Sequence, residues 1–473
     1  MRIFKLTIKL ITTISAIIIV CIIVFFSREF ISNYSVRFNM DNIQLPGKDS
    51  KVLIFSPHND DETLGAGEFI KKSLKNGAKV KVVLVTNGDG FKSALQLDYF
   101  NLFPKENDFI KFGYTRQQES INALSQLRLS KNNIIFLGCP DGGIAHLWSS
   151  NWDNSNPYKS NFTQSNRSPY SNSYTKNAIY SGESLVSDIT KIIDEYKPDY
   201  IVMPHPNDRH PDHWAVNAFV QYTLTYINYT PKKIWLYLVH RGDWPTPLKR
   251  NTSFYLVPPK KLTGIGTNWY ALDLNNNEIN EKSKVLQSYR TQFRTLKPLI
   301  TAFERKNELF GECPNPTIEK FEKSDIKITA EKQNEIITDP LQDTLSLEIS
   351  RDADISHIYA EISKENNLHI FLQTDLNIDK FTSYNINMIL FNKGKISKFS
   401  IKFKDKKLML RHNSSIPITT TYGGIKYSVY SGFIHITIPY KDTGNFDHMF
   451  INASTSIENH TLDKTARKMV NAI

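Results

Sequence analysis

At 473 residues the chain exceeds one ordinary domain, so two or three folded units are expected. Its composition, 40% hydrophobic, 12% aromatic and 22% charged, excludes a chain that is disordered throughout. The net charge of +11 suits contact with an anionic surface such as phospholipid or wall polymer. Nucleic acid is excluded as a partner, because no recognition motif or dense arginine cluster accompanies that charge.

The first element is apolar. Leu10 to Phe26 reads LITTISAIIIVCIIVFF without a charge. At ~1.5 Å rise per residue it just crosses a bilayer core with help from its flanks. Arg2, Lys5 and Lys9 precede it, and Arg28 and Glu29 cancel behind it. The positive-inside rule therefore predicts a cytoplasmic N-terminus with the remainder outside. Phe25-Phe26-Ser27-Arg28 is too bulky for a small-x-small cleavage site. Residues 1–30 are thus read as an uncleaved single-pass membrane anchor, with a cleavable signal peptide as the rival. Residues 31–50, polar and mixed with Pro46-Gly47, read as a stalk.

From residue 51 buried strands alternate with amphipathic helices. Strands are predicted at Lys51–Ser56, Val80–Thr86, Ile134–Leu137, Tyr200–Met203 and Lys233–His240. Helices are predicted at Thr63–Asn76, Tyr114–Leu127, Glu183–Tyr196 and Lys282–Arg294. This pattern predicts an α/β unit over 51–312, a mostly parallel Rossmann-like sheet with helices on both faces. Residues 145–182 break the rhythm. They are rich in Asn, Ser and Tyr and carry Trp148, Trp152, Tyr158, Phe162, Tyr170 and Tyr174. A segment this long without period is either a substrate-covering loop or a surface excursion packed by its own aromatics.

After Gly311 the pattern changes. Residues 313–342 are charged and turn-rich, as suits a linker. From 343 to 473 short alternating strands follow, at Leu345–Ile349, His369–Thr374, Tyr384–Phe391, Ile396–Phe403, Tyr427–Val429 and Phe433–Pro439, with turn signals such as Asn392-Lys393-Gly394. They predict an all-β, sandwich-like accessory domain. Three cysteines, Cys21, Cys139 and Cys313, are too few for a disulfide scaffold or a cysteine-rich zinc site.

The chemistry lies at two strand ends. Ser56-Pro57-His58-Asn59-Asp60-Asp61-Glu62 follows Val52-Leu53-Ile54-Phe55. The second cluster, His205-Pro206-Asn207-Asp208-Arg209-His210-Pro211-Asp212-His213, follows Tyr200-Ile201-Val202-Met203. Ligands bind outside the carboxyl ends of strands in open parallel sheets. A catalytic zinc needs about three protein ligands and one open position, and His58, Asp61 and His213 can supply an N, O, N set. Asp60 would then stand free beside the metal to take a proton from water. Taken singly, each residue also has a structural use: Asp60 or Asp61 as a helix N-cap, Glu62 as a first-turn acid, His213 as a buried core histidine.

The first loop resembles the His-Pro-Asp-Asp-Glu motif of the LmbE-like, or PIG-L, family of zinc-dependent N-acetylglucosamine deacetylases. His210-Pro211-Asp212-His213 is similar to that family's second motif. Arg116-Gln117-Gln118-Glu119 and Gly138-Cys139-Pro140-Asp141-Gly142 resemble two further ones. The resemblance covers about 51 to 312. It implies one zinc held by His58, Asp61 and His213, with Asp60 as general base. It also implies His210 as general acid or oxyanion partner, Asp212 orienting His210, and Arg116 and Asp141 contacting substrate. Asn59 departs from the motif, which has Pro there. Gly65-Ala66-Gly67 follows the acidic loop rather than a strand and is no dinucleotide fingerprint.

The expectation is a membrane-anchored deacetylase acting outside the cell membrane on the N-acetyl group of a GlcNAc-containing glycan. The alternatives are a catalytically silent carbohydrate-binding surface protein and a deacetylase of a lipid-linked GlcNAc. Oligomeric state is not legible in the sequence.

Overall fold

The computed structural model describes residues 2–242, 244–318, 320, 335–344, 351–392, 395–405, 407–414, 424–458 and 460–472. Helix α1 (Arg2–Phe38) opens the chain. Over Ile11–Phe38 it is long and apolar enough to cross a membrane, as a signal sequence also is. It then runs on through half of the expected stalk. Near its end Asn33 exchanges two 2.9 Å hydrogen bonds with the Tyr255 backbone, and Arg37 Nε donates to Asp273 Oδ1 at 2.8 Å. Strand β1 (Asp41–Asn42) then joins the main sheet. Residues 31–43 are therefore docked, because Asn33, Arg37 and Ile43 bury their side chains against the body of the protein.

The α/β unit comprises β2 (Lys51–Ser56), α2 (Asp61–Lys75), β3 (Lys79–Thr86), α3 (Lys92–Tyr99), α4 (Glu106–Gln126), β4 (Ile134–Cys139), α5 (Ile144–Trp148) and α6 (Gly182–Tyr196). There follow β5 (Tyr200–Pro204), α7 (Pro211–Tyr226), β6 (Lys233–Tyr237), β7 (Asn268–Asp273), α8 (Asn276–Leu286), α9 (Arg290–Thr301) and β8 (Asn307–Glu312). The sheet order is β1-β7-β8-β6-β5-β2-β3-β4. β4, β3, β2, β5 and β6 are parallel neighbours, while β8 runs antiparallel to β6 and β7.

The central parallel strands are largely apolar on both sides because helices cover both faces. Val52, Ile54, Val82 and Leu84 face α2, α4, α8 and α9. Leu53, Phe55, Val83 and Ile201 face α6 and α7. The chain passes from β2 outward to β3 and β4, then returns past β2 to β5 and β6. The gap between β2 and β5 is thus the switch point where ligands collect in such sheets.

Several boundaries differ from expectation by a few residues, and two helices differ by more, for local reasons. The helix expected at 114–127 begins at Glu106, whose turn is closed by Asp108 accepting the Lys105 N–H at 2.9 Å. The single helix expected over 282–294 is two, α8 and α9, separated at 287–289, where the buried Tyr289 ring enters the core. The backbone of the 145–182 segment lies largely at the surface, while its six aromatic side chains are buried or half-buried. Trp148 and Trp152 lie edge-on at 5.7 Å and contact Phe219, and Tyr170 is buried.

The C-terminal part is a two-sheet β sandwich. One sheet orders β10 (Glu335–Thr338), β11 (Ile355–Ile362), β12 (Leu368–Thr374), β17 (Phe433–Ile438) and β16 (Lys426–Val429). The other orders β15 (Lys407–Ser414), β14 (Lys395–Lys404), β13 (Ser383–Asn392), β18 (His448–Ile457), β20 (Lys468–Ala472) and β9 (Thr317–Ile318), with β19 (His460–Lys464) on β18. Alternating residues such as Ile386, Met388 and Leu390 meet Ile370, Leu372 and Ile436 in the core between them. The described parts of the expected linker, β9 and β10, are strands of this sandwich. The strand expected at 345–349 lies outside the described residues, as do Lys393 and Gly394 of the expected turn. The cysteines are free thiols.

Candidate active site

Ser56, Glu62 and Tyr289 shape the first loop. Glu62 is fully buried, accepting from Tyr289 Oη at 2.7 Å, from the Asp60 N–H at 3.1 Å and contacting Ser56 Oγ at 2.8 Å. This brace holds Asp60 at φ 135°, a backbone state costly to any residue but glycine. The distortion points Asp60 into the cleft while Asp61 starts α2. Asn59, the residue that replaces the family's proline, donates to Ser120 Oγ at 2.9 Å. A side-chain hydrogen bond thus fixes the loop where a ring would have restricted it.

The second loop is built around Asp208. Its Oδ2 accepts the amides of Val239 and His240, each at 3.0 Å, and lies 3.1 Å from His213 Nδ1. Its Oδ1 accepts the His210 N–H at 2.9 Å. His210 caps α7, its Nδ1 accepting the Asp212 amide at 3.2 Å, and Pro211 occupies the first helical position. That bond leaves His210 Nε2 as the protonated nitrogen, facing the cleft.

Three donor atoms converge. Asp61 Oδ2 lies 3.1 Å from His58 Nδ1 and 3.0 Å from His213 Nε2, and the two nitrogens are 3.3 Å apart. Asp61 Oδ1 is buried without a hydrogen bond, with His240 Nε2 3.6 Å away. An orphaned carboxylate oxygen within a buried N, O, N set fits zinc. Behind the ligands stand carboxylates: Asp208 on His213 Nδ1, and Asp141 and Asp212 each 3.2 Å from His58 Nε2. Such partners fix the tautomer and aim of metal-binding histidines.

The electrostatics follow from burial of many charges together. Burial pushes the Asp60 carboxyl well up, and Asp61 and Glu62 add to this against the pull of Arg116. Burial also disfavours charge on Asp61, but His213, His240 and His58 together carry its carboxyl well below the usual range. His213 is raised to about 9, because Asp208 and Asp61 outweigh its burial. His210 is pushed down to about 2 by burial and by the neighbouring imidazoles His58, His213 and His240, so its ring is neutral.

The cleft above these groups is about 310 Å³, at the lower end for small-molecule sites. Its polar side carries Asp60, His210 and His240, and its apolar side Phe91, Phe162 and Leu296. Phe162 is the aromatic that the 145–182 segment contributes to this wall. All eight residues singled out in the sequence are drawn together here, with Arg116 and Asp141 lining the cleft, and three of them also make structural contacts that the sequence did not foretell. Arg116 donates to the Gly88 carbonyl at 2.7 Å and the Asn59 carbonyl at 2.9 Å, and the Gln292 amide, turned oxygen-inward, meets Nη2 at 2.7 Å. It is a strut between loops, 4.0 Å from Asp60. Gly88, at φ 58°, leaves the space that the guanidinium fills. Asp141 accepts the Gly90 amide at 2.7 Å and contacts His58, so both its oxygens are engaged.

Asp212 does not orient His210 through its carboxylate, which accepts the amides of Gly142 at 2.7 Å and Ile144 at 3.0 Å; only its backbone amide meets His210. Two residues escaped the sequence reading. Asp208 was visible in the second cluster, five positions before His213. His240 was visible only as a histidine at the carboxyl end of a strand.

Residues 53–223 match the family model described as PIG-L, GlcNAc-PI de-N-acetylase. No curated protein matches the chain. Similar solved structures include the N,N'-diacetylchitobiose deacetylase of Pyrococcus horikoshii, at 20% identity over 55% of this chain and 82% of that one, with a TM-score of 0.34. A deacetylase of the A40926 pseudoaglycone matches at 17% identity over 56% of this chain and 97% of that one, TM-score 0.35. A 4-carboxy-2-hydroxymuconate hydratase from Pseudomonas putida matches at 14% identity over 54% and 82%, TM-score 0.33. Residues 53–223 therefore constitute a domain of the PIG-L, or LmbE-like, de-N-acetylase family.

Proposed function

We propose that the chain is a zinc-dependent amide hydrolase that removes the N-acetyl group from a GlcNAc-containing glycan or glycolipid, releasing acetate and a free amine. The observation that carries this reading is the meeting of His58 Nδ1, Asp61 Oδ2 and His213 Nε2 within 3.3 Å beside Asp60. Bound zinc at those three ligands would supply Lewis-acid activation at neutral pH.

The remaining work falls to the chain's own side chains. Asp60, with its carboxyl in the cleft and its proton affinity raised by burial, takes a proton from the attacking water and returns one to the leaving amine. His210 stays neutral and presents Nε2–H, so it donates a hydrogen bond to the oxygen that gains charge rather than giving up a proton. Arg116 and Asp141 position these groups through the loop carbonyls and His58. The apolar wall of Phe91 and Phe162 suits the face of a pyranose ring or the acetyl methyl.

In this reading residues 51–312 are the catalytic unit and the sandwich an accessory carbohydrate-binding or placing module. The N-terminal helix holds both at the outer membrane face, the orientation that the basic residues preceding it favour. Acetate release from monomeric, lipid-linked and polymeric GlcNAc substrates tests the proposal. Activity should vanish on chelation and return with zinc. Asp60→Asn should retain zinc and lose ~10²–10⁴-fold in rate. Zinc-loaded wild type without acetate release on any of these substrates would sink it in favour of a silent binding protein.

A further inference from the structure

A second group of acidic side chains lies where the sandwich meets the α/β unit. One carboxylate oxygen each from Asp339, Asp343 and Asp463 lies within 4.8 Å of the others. Asp339 follows β10, Asp343 comes four residues later, and Asp463 lies in β19. Clusters of acids are common, but Asp339 is not explained by clustering. It is 3% exposed, and among the described residues neither of its carboxylate oxygens takes a hydrogen bond. Asp343 Oδ1 and Oδ1 of Asp354, a residue 1% exposed, are likewise buried and unbonded among the described residues.

The other oxygens are positioned with care. Asp463 accepts the Ile355 amide at 2.8 Å, and Asp354 accepts the Gln342 amide at 2.7 Å. Asp463 Oδ1 also accepts the Lys464 amide at 2.7 Å, so both of its oxygens are tied to backbone, whereas Asp339 keeps both oxygens and Asp343 and Asp354 one each without a hydrogen bond. Cations lie nearby: Arg209 and Arg241 reach Asp343 Oδ2, at 3.5 and 3.9 Å, and Arg241 also acts on Asp339 at longer range. Lys261 also acts on Asp343 and Asp354. A buried ionised carboxylate with no partner costs several kcal/mol, so such a group either binds a cation or holds a proton.

We propose that Asp339, Asp343 and Asp463, with Asp354 beside them, form a calcium site that fastens the sandwich to the α/β unit. An all-oxygen, carboxylate-only set with no His or Cys selects a hard cation. Several carboxylates gathered into one protein cage suit calcium, whereas magnesium keeps most of its water. Burial and mutual repulsion accord with this, pushing Asp463 to about 7 and Asp354 to about 6. The site also borders the catalytic loops. Arg209 precedes His210 and Arg241 follows His240, so a cation that holds Asp343 fixes the anchor of both loops.

The full-length protein in detergent, stripped of metals and reloaded with zinc, is the material for the test. Calcium should bind by equilibrium dialysis and raise the thermal midpoint, saturating in the range of about 10⁻⁴–10⁻³ M. Asp339→Asn should lose both effects, while His58→Ala, which touches only the other metal site, should keep both. If Asp339→Asn does not fold, Asp343→Asn, which is partly exposed, should lose the calcium response instead. Absence of binding by wild type at about 5 mM calcium overturns the proposal, as does binding unchanged in the folded variants. A calcium-indifferent wild type that is stabilised by Asp339→Asn would identify a protonated carboxyl cluster and overturn it equally.

Discussion

Asp60 and Asp61 are adjacent, yet their surroundings suit them to the different roles proposed above, base and ligand. Asp61 is ringed by imidazoles that favour its anion, whereas Asp60 sits beside two acids and one arginine already committed to carbonyls. The same logic makes Asp208 more than a structural acid. It holds His213 in the tautomer that exposes Nε2 while bonding two amides of the loop that carries His240. Asp208→Ala should therefore weaken zinc affinity by roughly 10–100-fold, read by competition with a chelator. His210→Ala should lower kcat by about 10²–10³ with little change in KM, because its contact forms with the developing charge. An equal rise in KM with kcat intact would show instead that His210 binds substrate in the ground state.

At the scale of elements, α2 shows how the sheet delivers a loop residue accurately. The helix is broken at Ala66, φ −146°, between Gly65 and Gly67. A Cβ on Gly65 would come within 2.5 Å of the Tyr237 ring, so the helix start can press against β6 only with glycine there. The break frees amides in mid-helix, and Glu308 of β8 caps two of them, Glu68 N at 2.8 Å and Phe69 N at 2.9 Å. Lys282 of α8 neutralises that buried carboxylate at 2.6 Å. The antiparallel strand β8 thus closes the defect that lets Asp61 enter the site. Glu308→Ala should cost roughly 3–5 kcal/mol in denaturant unfolding, since Lys282 is left charged and buried. A loss below about 1 kcal/mol would mean that water replaces the cap.

At the scale of the molecule, the sandwich is joined to the α/β unit by an apolar seam. Phe450 meets Trp148 at 5.3 Å, Phe391 meets Tyr222 at 5.1 Å, and Arg467 lies 3.5 Å over Trp214. Phe450→Ala should destabilise by about 3–5 kcal/mol and split unfolding into two transitions. The acidic cluster at the same junction gives a pH dependence. Asp463 and Asp354 have folded values of about 7 and about 6, above the ~3.9 of an unfolded aspartate. The unfolded chain therefore ionises first, and the stability these groups allow is full below ~3.9 and lost as pH rises through 6 to 7. The thermal midpoint of calcium-free protein should fall between about pH 4.5 and 6.5, and Asp463→Asn should flatten the slope. A slope unchanged in that variant would place its origin elsewhere.

Much of this molecule was legible along the chain. Periodicity gave the five parallel strands, because a strand covered on both faces must be apolar throughout, and helices α2, α4 and α6, but it passed over α3, α5 and α7. The composition of two strand-end loops singled out His58, Asp60, Asp61, His210 and His213, imidazoles and carboxylates that the fold brings to one site. What the sequence could not assign was the partner of each group. Arg116 and Asp141 line the cleft, and each is also bound to a partner distant in the chain, Arg116 to the Gly88 and Asn59 carbonyls and Asp141 to the Gly90 amide and His58. Asp212, two residues from His210, turns instead to amides near residue 142. The docking of residues 31–43, the cap from Glu308 and the junction acids likewise depend on contacts between segments far apart in the chain. Local pattern determines which side chains can do chemistry; long-range packing decides which remain free to do it.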